Sequence, residues 1–147
     1  MYTIGQISKM FNLPISTLRY YDAESLFPNM QKISGIRQFS EKEIERLRII
    51  ECLKRSGLEI KDIKQFMEWS TQGNKTYEQR KQLFENQKQV VQAEMKKLEK
   101  VMDMLEYKCW YYSKAIEDGC EDEIYEMLPD HLPQDIQKHY DNAHRDE

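Results

Sequence analysis

The feature that most constrains this chain is a heptad repeat of apolar side chains in its second half. Residues 74–118 contain no Pro or internal Gly, so this stretch predicts one long helix. An isolated helix cannot bury a heptad seam, and we therefore expect a partner, most simply a parallel or antiparallel copy of the same chain. The seam residues follow one another at alternating steps of four and three: Val91, Met95, Leu98, Met102, Leu105, Cys109, Tyr112 and Ile116.

The start of the chain predicts two short helices joined by a tight turn. Thr3 and Gln6 fit a capping box that begins the first helix, and Asn12-Leu13-Pro14 ends it. A second helix is expected to start at Ser16, and Pro28 closes the pair. Two helices at this spacing are typical of a helix-turn-helix, whose second helix can enter the major groove of DNA.

Residues 29–39 have a different pattern, which predicts a small β-hairpin. Gly35 can supply the turn, with Ile33 before it and an extended run from Ile36 to Phe39 after it. A hairpin that follows a helix-turn-helix forms a wing. We therefore expect a winged helix-turn-helix.

Two further helices are expected between the wing and the long helix. Ser40 and Glu43 fit another capping box, and Gly57 is a typical C-terminal stop for the helix that follows. A shorter helix comes next, and a run of turn-forming residues at 70–74 marks a domain boundary. The fold class is therefore mainly α, and the expected domains are the DNA-binding domain at 1–73, the dimerisation helix at 74–118 and an acidic tail at 119–147.

The net charge of −4 is the sum of two unlike parts. Residues 117–147 hold 2 basic and 11 acidic side chains, so the residues before them carry a net charge of +5. A weakly basic body with an acidic end is compatible with a nucleic-acid partner.

The start of the second helix carries the side chains best suited to DNA. Short hydroxyls, one Arg and two Tyr near a helix N-terminus can contact phosphates and base edges. In the wing, Lys32 and Arg37 lie on either side of the turn and can contact flanking phosphates. Tyr21 is in register with Leu18, so a core position is an equal alternative for it. The predicted contacts of the second helix are Ser16, Thr17, Arg19, Tyr20 and Tyr21.

Together these stretches resemble the MerR-type transcriptional regulators. The resemblance rests on YTIGQISKMFNLPISTLRYYDAESLFP, on SGIRQFSEKEIERLRIIECLKRSGLEIKDIKQFM and on the long helix, and it covers residues 2–118. It implies a homodimer with antiparallel long helices that binds a palindromic promoter. It also implies that an effector makes the dimer distort the DNA for RNA polymerase.

The resemblance also matches individual residues to DNA contacts of that family. It places Thr17, Arg19 and Tyr20 in the recognition helix, and Lys32 and Arg37 in the wing. The family's usual second aromatic residue in the wing is Ile36 here, a departure that can weaken one packing contact.

Cys52 is the first effector candidate, because IIECLKRSGL resembles the branch of the family that senses aldehydes and thiol stress. The nearby Arg48, Lys54 and Arg55 favour a reactive thiolate. The alternative, a buried filler beside Ile49 and Leu53, is equally compatible with the sequence.

A second effector hypothesis concerns three aromatic residues near the end of the long helix. Tyr107, Trp110 and Tyr111 can line a small apolar pocket for an effector, closed by Tyr125 and Leu128 of the tail. Simple packing of the tail on the helix explains the same residues and is the favoured interpretation.

Other classes of protein fit the sequence less well. The three cysteines have no metal-type spacing and no even count for a disulfide framework, so we expect no metal, no cofactor and a cytoplasmic location. No apolar run is long enough to cross a membrane, and no catalytic constellation predicts an enzyme. A coiled-coil adaptor that does not read DNA is the remaining alternative, but it leaves the winged helix-turn-helix without a purpose.

Overall fold

The protein is described by a computed structural model that covers residues 1–145, and most of these residues are helical. They form two compact units, the first spanning Met1–Lys88 and the second beginning at Gln89. A short 3₁₀ turn at Gly73–Thr76 precedes the fifth helix. The elements in chain order are α1 (Ile4–Phe11), α2 (Ile15–Ala23), β1 (Gln31–Ile33), β2 (Ile36–Gln38), α3 (Glu41–Arg55), α4 (Ile60–Ser70), α5 (Tyr77–Asp118), α6 (Asp122–Met127) and α7 (Gln134–His144).

The predicted helix pair at the start of the chain is confirmed as α1 and α2. The hydroxyl of Thr3 accepts from the amide of Gln6 at 3.2 Å, and the Gln6 side chain accepts from the Thr3 amide at 2.8 Å. α2 begins at Ile15, one residue before the predicted start at Ser16, and its N-cap is Pro14. The Pro14 ring holds φ at −59°, so the chain enters the helix without a side-chain cap.

The predicted wing is confirmed as a two-stranded antiparallel hairpin. Its register pairs Lys32 with Arg37 and Ile33 with Ile36. The turn residues Ser34 and Gly35 both have positive φ, 51° and 77°. Positive φ at both central residues matches the twist of the flanking strands and closes a two-residue hairpin.

One apolar core holds α1 to α4 and the base of the wing together. Phe27 and Phe39 meet edge to face at 5.5 Å between ring centroids, which fixes the wing beside the end of the helix pair. Burial of these side chains is the main stabilising contribution to this unit. The buried apolar residues are Ile7, Leu18, Tyr21, Leu26, Phe27, Phe39, Ile44, Leu47, Ile50, Leu53, Leu58, Ile63 and Met67.

The first turns of α5 also belong to the first unit. Leu83 packs against its core, and the Gln87 side chain donates a 2.7 Å hydrogen bond to the carbonyl of Ser56. Gly57, with φ of +88°, follows the end of α3 as the sequence predicts. The compact unit thus extends to Lys88. The functional boundary between the DNA-binding domain and the dimerisation helix, expected at residues 73 and 74, stays a prediction.

In the second unit, the tail folds back on α5. Ile124 of α6 and Leu132 of the α6–α7 connection form a small core with Tyr107 and Tyr111 of α5, and α7 packs against it through Tyr140. Polar contacts support this packing: the Lys114 ammonium lies 2.9 Å from Asp118 and 2.8 Å from Glu123. A further pair joins His139 of α7 to Asp103 of α5 at 2.7 Å.

None of the helices within residues 1–145 combines the length and the apolar character that a membrane span requires.

Candidate nucleic-acid interface

α2 divides its side chains between the core and the solvent. Leu18 and Tyr21, three positions apart, face the core and are essentially inaccessible. Ser16, Arg19 and Tyr20 are exposed, and Thr17 is half-buried. The helical period therefore gathers most of the predicted contacts on one outward face. The resulting α2 face comprises Ser16, Thr17, Arg19 and Tyr20.

The N-terminus of α2 adds backbone donors to this face. The Thr17 amide donates to the Pro14 carbonyl at 3.0 Å, but no side chain caps the helix, so no side-chain oxygen accepts from the amides of Ile15 and Ser16. Free amides at a helix start, together with the positive end of the helix dipole, attract phosphate. Arg19 lies about one turn further along the same helix and adds a full positive charge.

Tyr21 belongs to the core, the alternative that the sequence left open. Its hydroxyl donates to Oε1 of Glu51 at 2.8 Å and accepts from Nζ of Lys54 at 3.0 Å. Burial raises the pKa of Tyr21, and the hydrogen bond to it raises the pKa of Lys54. We therefore remove Tyr21 from the predicted DNA contacts. Sequence reasoning missed Glu51 and Lys54 as its partners, because 30 and 33 residues separate them from Tyr21.

The two basic residues of the wing lie in different environments. Lys32 is exposed, so its predicted contact with a phosphate is sterically open. Arg37 is half-buried, and its Nε donates to Oδ2 of Asp22 at 2.7 Å. Asp22 lies in the last turns of α2, so this ion pair ties the wing to the recognition helix. No local sequence pattern predicted the pair.

The end of the wing is apolar and exposed. Ile33 and Ile36 face each other across the hairpin, and each is more than half exposed. Ile36, expected to weaken a packing contact, is 57% exposed and lies outside the apolar core of the first unit.

Cys52 is exposed in the single chain, which contradicts the alternative that it is a buried filler. It lies on the outer side of α3, where Ile49 is also exposed, whereas Leu53 is buried. Two of the three cations predicted to activate its thiol have other partners. Arg48 pairs with Glu45, and Lys54 donates to the Tyr21 hydroxyl.

The three aromatic effector candidates are brought together and covered by the tail. Tyr107 and Tyr111 are buried, Trp110 is half-buried, and the ring of Tyr107 meets that of Tyr140 at 5.0 Å. The Tyr111 hydroxyl donates to Glu121, and this hydrogen bond, followed by burial, raises the pKa of Tyr111. The favoured packing interpretation agrees with this arrangement.

The pocket hypothesis fits the same region less well. Tyr125, predicted to close a pocket over these rings, is 60% exposed. Its hydroxyl lies 3.4 Å from the carboxylate of Glu121, which also accepts from the Tyr111 hydroxyl.

The part of the chain that the structure describes contains no group of three or more His, Cys, Asp and Glu side chains able to hold a metal ion. Cys52, Cys109 and Cys120 are all exposed and unpaired.

The heptad seam of α5 is exposed along its length. Leu98 is 67% exposed and Ile116 is 81% exposed, although both are large apolar side chains. Cys109, expected as a small apolar seam residue, is exposed with them. A continuous apolar stripe of this kind marks an interaction surface, because single soluble chains rarely leave one uncovered.

Comparison with protein families gives two overlapping matches. Residues 2–69 match the family described as MerR HTH family regulatory protein. Residues 44–107 match the family described as MerR, DNA binding. Together the two matches include both helices of the helix-turn-helix, the wing, α3, α4 and most of α5.

Individual relatives agree with these matches. The chain is 39% identical over 115 residues to an uncharacterized HTH-type transcriptional regulator of Haemophilus influenzae. The aligned residues cover 78% of this chain and 85% of that protein. It is also 36% identical over 87 residues to the HTH-type transcriptional regulator AdhR of Bacillus subtilis. This alignment covers 58% of this chain and 62% of that protein.

A solved structure shares the fold over most of the chain. It is HiNmlR, described as a MerR family regulator lacking the sensor domain, bound to promoter DNA. The TM-score is 0.68 at 36% sequence identity, with 90% of this chain and 97% of that chain covered.

Proposed function

Because this chain belongs to the MerR family of helix-turn-helix transcriptional regulators, we propose that it reads promoter DNA through the α2 face and the wing. The observation that carries this proposal is the outward grouping of Arg19 and Tyr20 at an uncapped helix start, with exposed Lys32 in the neighbouring wing. Phosphate contacts from the amides, Arg19 and Lys32 would position the helix, and Thr17 and Tyr20 would reach bases or sugars. The relative HiNmlR, bound to promoter DNA, supports this assignment.

We propose further that the protein acts as a homodimer through the seam of α5. A second copy supplies a seam of equal length and equal apolar character, so each can cover the other. The antiparallel arrangement follows the resemblance to the family. A two-fold symmetric dimer presents two copies of the α2 face and therefore binds a palindromic site.

Control of transcription through DNA shape is the mechanism we propose for this dimer. Two reading units joined by a rigid pair of helices can bend or twist the promoter between the half-sites. The distorted promoter is then used by RNA polymerase, and an effector biases the dimer toward the distorting state. The three functional segments are the DNA-binding domain at 1–73, the dimerisation helix at 74–118 and the tail at 119–147.

The two effector hypotheses are supported unequally. Exposure of Cys52 makes its thiol accessible to an electrophile, which supports a thiol-based signal. Tyr107 and Tyr111 are occupied by packing against the tail, which leaves less room for a ligand beside Trp110. We therefore propose Cys52 as the effector-responsive residue.

The coiled-coil adaptor alternative is not favoured. An adaptor needs only the seam of α5, and it assigns no purpose to an exposed Arg19 and Tyr20 on a folded helix-turn-helix. The family match over residues 2–69 also lies in the DNA-reading half and not in the seam.

Selection of duplexes from a random-sequence pool tests this function. We expect the full chain to enrich a palindrome and to bind it with an affinity that falls steeply as the salt concentration rises. Arg19→Ala should weaken binding by at least about tenfold and reduce the slope of log K against log salt by about one. The variant should still sediment as a dimer.

Arg48→Ala is the matched control, because it removes an exposed arginine of α3 outside the α2 face. It should bind nearly as tightly as the wild type. Equal affinity of the wild type and Arg19→Ala, or enrichment of no sequence, would contradict the proposed function.

A further inference from the structure

Asp22 is the acidic residue closest in sequence to the α2 face, and it holds a residue of the wing. Its Oδ2 accepts a 2.7 Å hydrogen bond from Nε of Arg37, and both side chains are largely shielded from solvent, at 17% and 26% exposure. Arg37 lies on β2 directly opposite Lys32. One ion pair therefore joins the recognition helix to the strand pair that carries both basic residues of the wing.

We propose that Asp22 is a positioning residue for DNA binding, which orients the Arg37 guanidinium toward a phosphate and fixes the wing relative to α2. The inference rests on the proposed function and assigns to it a residue that makes no DNA contact of its own.

The guanidinium of Arg37 has enough donors to bind Asp22 and a phosphate at the same time. Arginine has five N–H donors in one plane, and the bond to Asp22 uses only the one on Nε. Among residues 1–145, Asp22 is the one carboxylate within ion-pair distance of Arg37. The four donors on the two Nη atoms remain for a phosphate, and a guanidinium held on one edge loses less freedom when it binds through the other.

The direction in which DNA affinity changes when Asp22 is removed distinguishes a positioning role from simple charge repulsion. A carboxylate near DNA repels phosphate, so its removal by itself should tighten binding, most strongly at low salt. If Asp22 positions Arg37, its removal should weaken binding instead, because a mobile Arg37 and a mobile wing must be ordered when DNA binds.

The test uses the full-length chain and the duplex selected from the random pool. Asp22→Asn should weaken binding by about tenfold and reduce the slope of log K against log salt by about one, and Arg37→Gln should have the same effect. The double variant should bind no more weakly than Arg37→Gln alone, because both changes remove the same contact. Asp22→Glu retains a carboxylate and should recover part of the loss.

Glu24→Gln is the charge-matched control, since it removes one negative charge two residues away and leaves Asp22 and Arg37 paired. It should bind as tightly as the wild type or slightly more tightly. Circular dichroism should show that all variants are folded.

Two results would overturn the inference while leaving the proposed function intact. One is wild-type or tighter binding by Asp22→Asn, which would show that only its charge matters. The other is weaker binding with an unchanged salt slope, which would mean that Asp22 acts on stability alone. Failure of the wild type to bind any selected duplex would instead overturn the proposed function, and this inference with it.

Discussion

The hydroxyl of Tyr21 donates a hydrogen bond to Oε1 of Glu51, 2.8 Å away, and so joins the recognition helix to α3. The ring of Tyr21 is buried in the core, while the ring of its neighbour Tyr20 is 48% exposed. Two adjacent tyrosines on one helix therefore have different roles, one in the core and one on the α2 face. This difference leads to the first prediction.

Tyr21→Phe should lower the free energy of unfolding by about 1 kcal/mol, because it removes the hydroxyl from a partly buried hydrogen-bond network. Denaturant unfolding measures this loss. Affinity for DNA should change less than about twofold at constant folded fraction, because Tyr21 does not belong to the α2 face. Tyr20→Phe is the control, and it should leave stability unchanged but weaken DNA binding. Weaker DNA binding by Tyr21→Phe at unchanged stability would show that Tyr21 contacts the DNA.

The second prediction concerns the exposed seam. Leu98→Glu should raise the dimer dissociation constant by at least about a hundredfold, because dimerisation would bury a charge without a partner. Sedimentation equilibrium measures the change, and DNA affinity should fall in parallel. Gln89→Glu adds the same charge outside the seam and should leave the dimer intact. A stable Leu98→Glu dimer would show that another surface joins the two copies.

The third prediction concerns the contact between α5 and the end of α3. A Cβ at Gly57 would lie 2.7 Å from Nε2 of Gln87, at a backbone φ of +88°. Gly57→Ala should therefore destabilise the protein by about 2 kcal/mol, from backbone strain and the displaced side chain together.

Removal of the displaced side chain separates the two causes. In a Gln87→Ala background, Gly57→Ala should cost only the backbone part, about 1 kcal/mol. Gly5→Ala, in the first turn of α1 with only ordinary contact at 3.9 Å, should be neutral or stabilising in thermal unfolding. An equal cost of Gly57→Ala in both backgrounds would mean that Gln87 moves freely.

The fourth prediction concerns the effector. Cys52→Ser should abolish the response of a reporter promoter to an aldehyde or another electrophile, while binding of the reduced protein to DNA is unchanged. Cys109→Ser and Cys120→Ser are the controls, because both thiols are also exposed. They should respond like the wild type. An unchanged response in Cys52→Ser would exclude a thiol-based signal at this position.

Features that depend on near neighbours in the chain were predicted correctly. The capping boxes at Thr3 and Ser40, the hairpin turn at Gly35 and the stop at Gly57 each involve residues within a few positions of one another. The start of α2 differed by one residue, because Pro14 enters the helix without a side-chain cap.

Features that depend on distant residues were not predicted. The partner of Arg37 is 15 residues away and that of Tyr21 is 30 residues away, and no repeat relates them. The same holds for Asp103 and His139, 36 residues apart, which help to hold the tail on α5.

The sequence by itself determined the periodic and local parts of this protein: the helices, the wing, the heptad seam and the motif at Ser16 to Tyr20. Local backbone geometry and side-chain spacing are sufficient for these, because each is set within one or two helical turns. Only the tertiary structure decided which side of α2 faces the core, that Cys52 is exposed and that Asp22 holds Arg37. These outcomes depend on how separate elements pack, and packing brings together residues whose distance along the chain carries no signal.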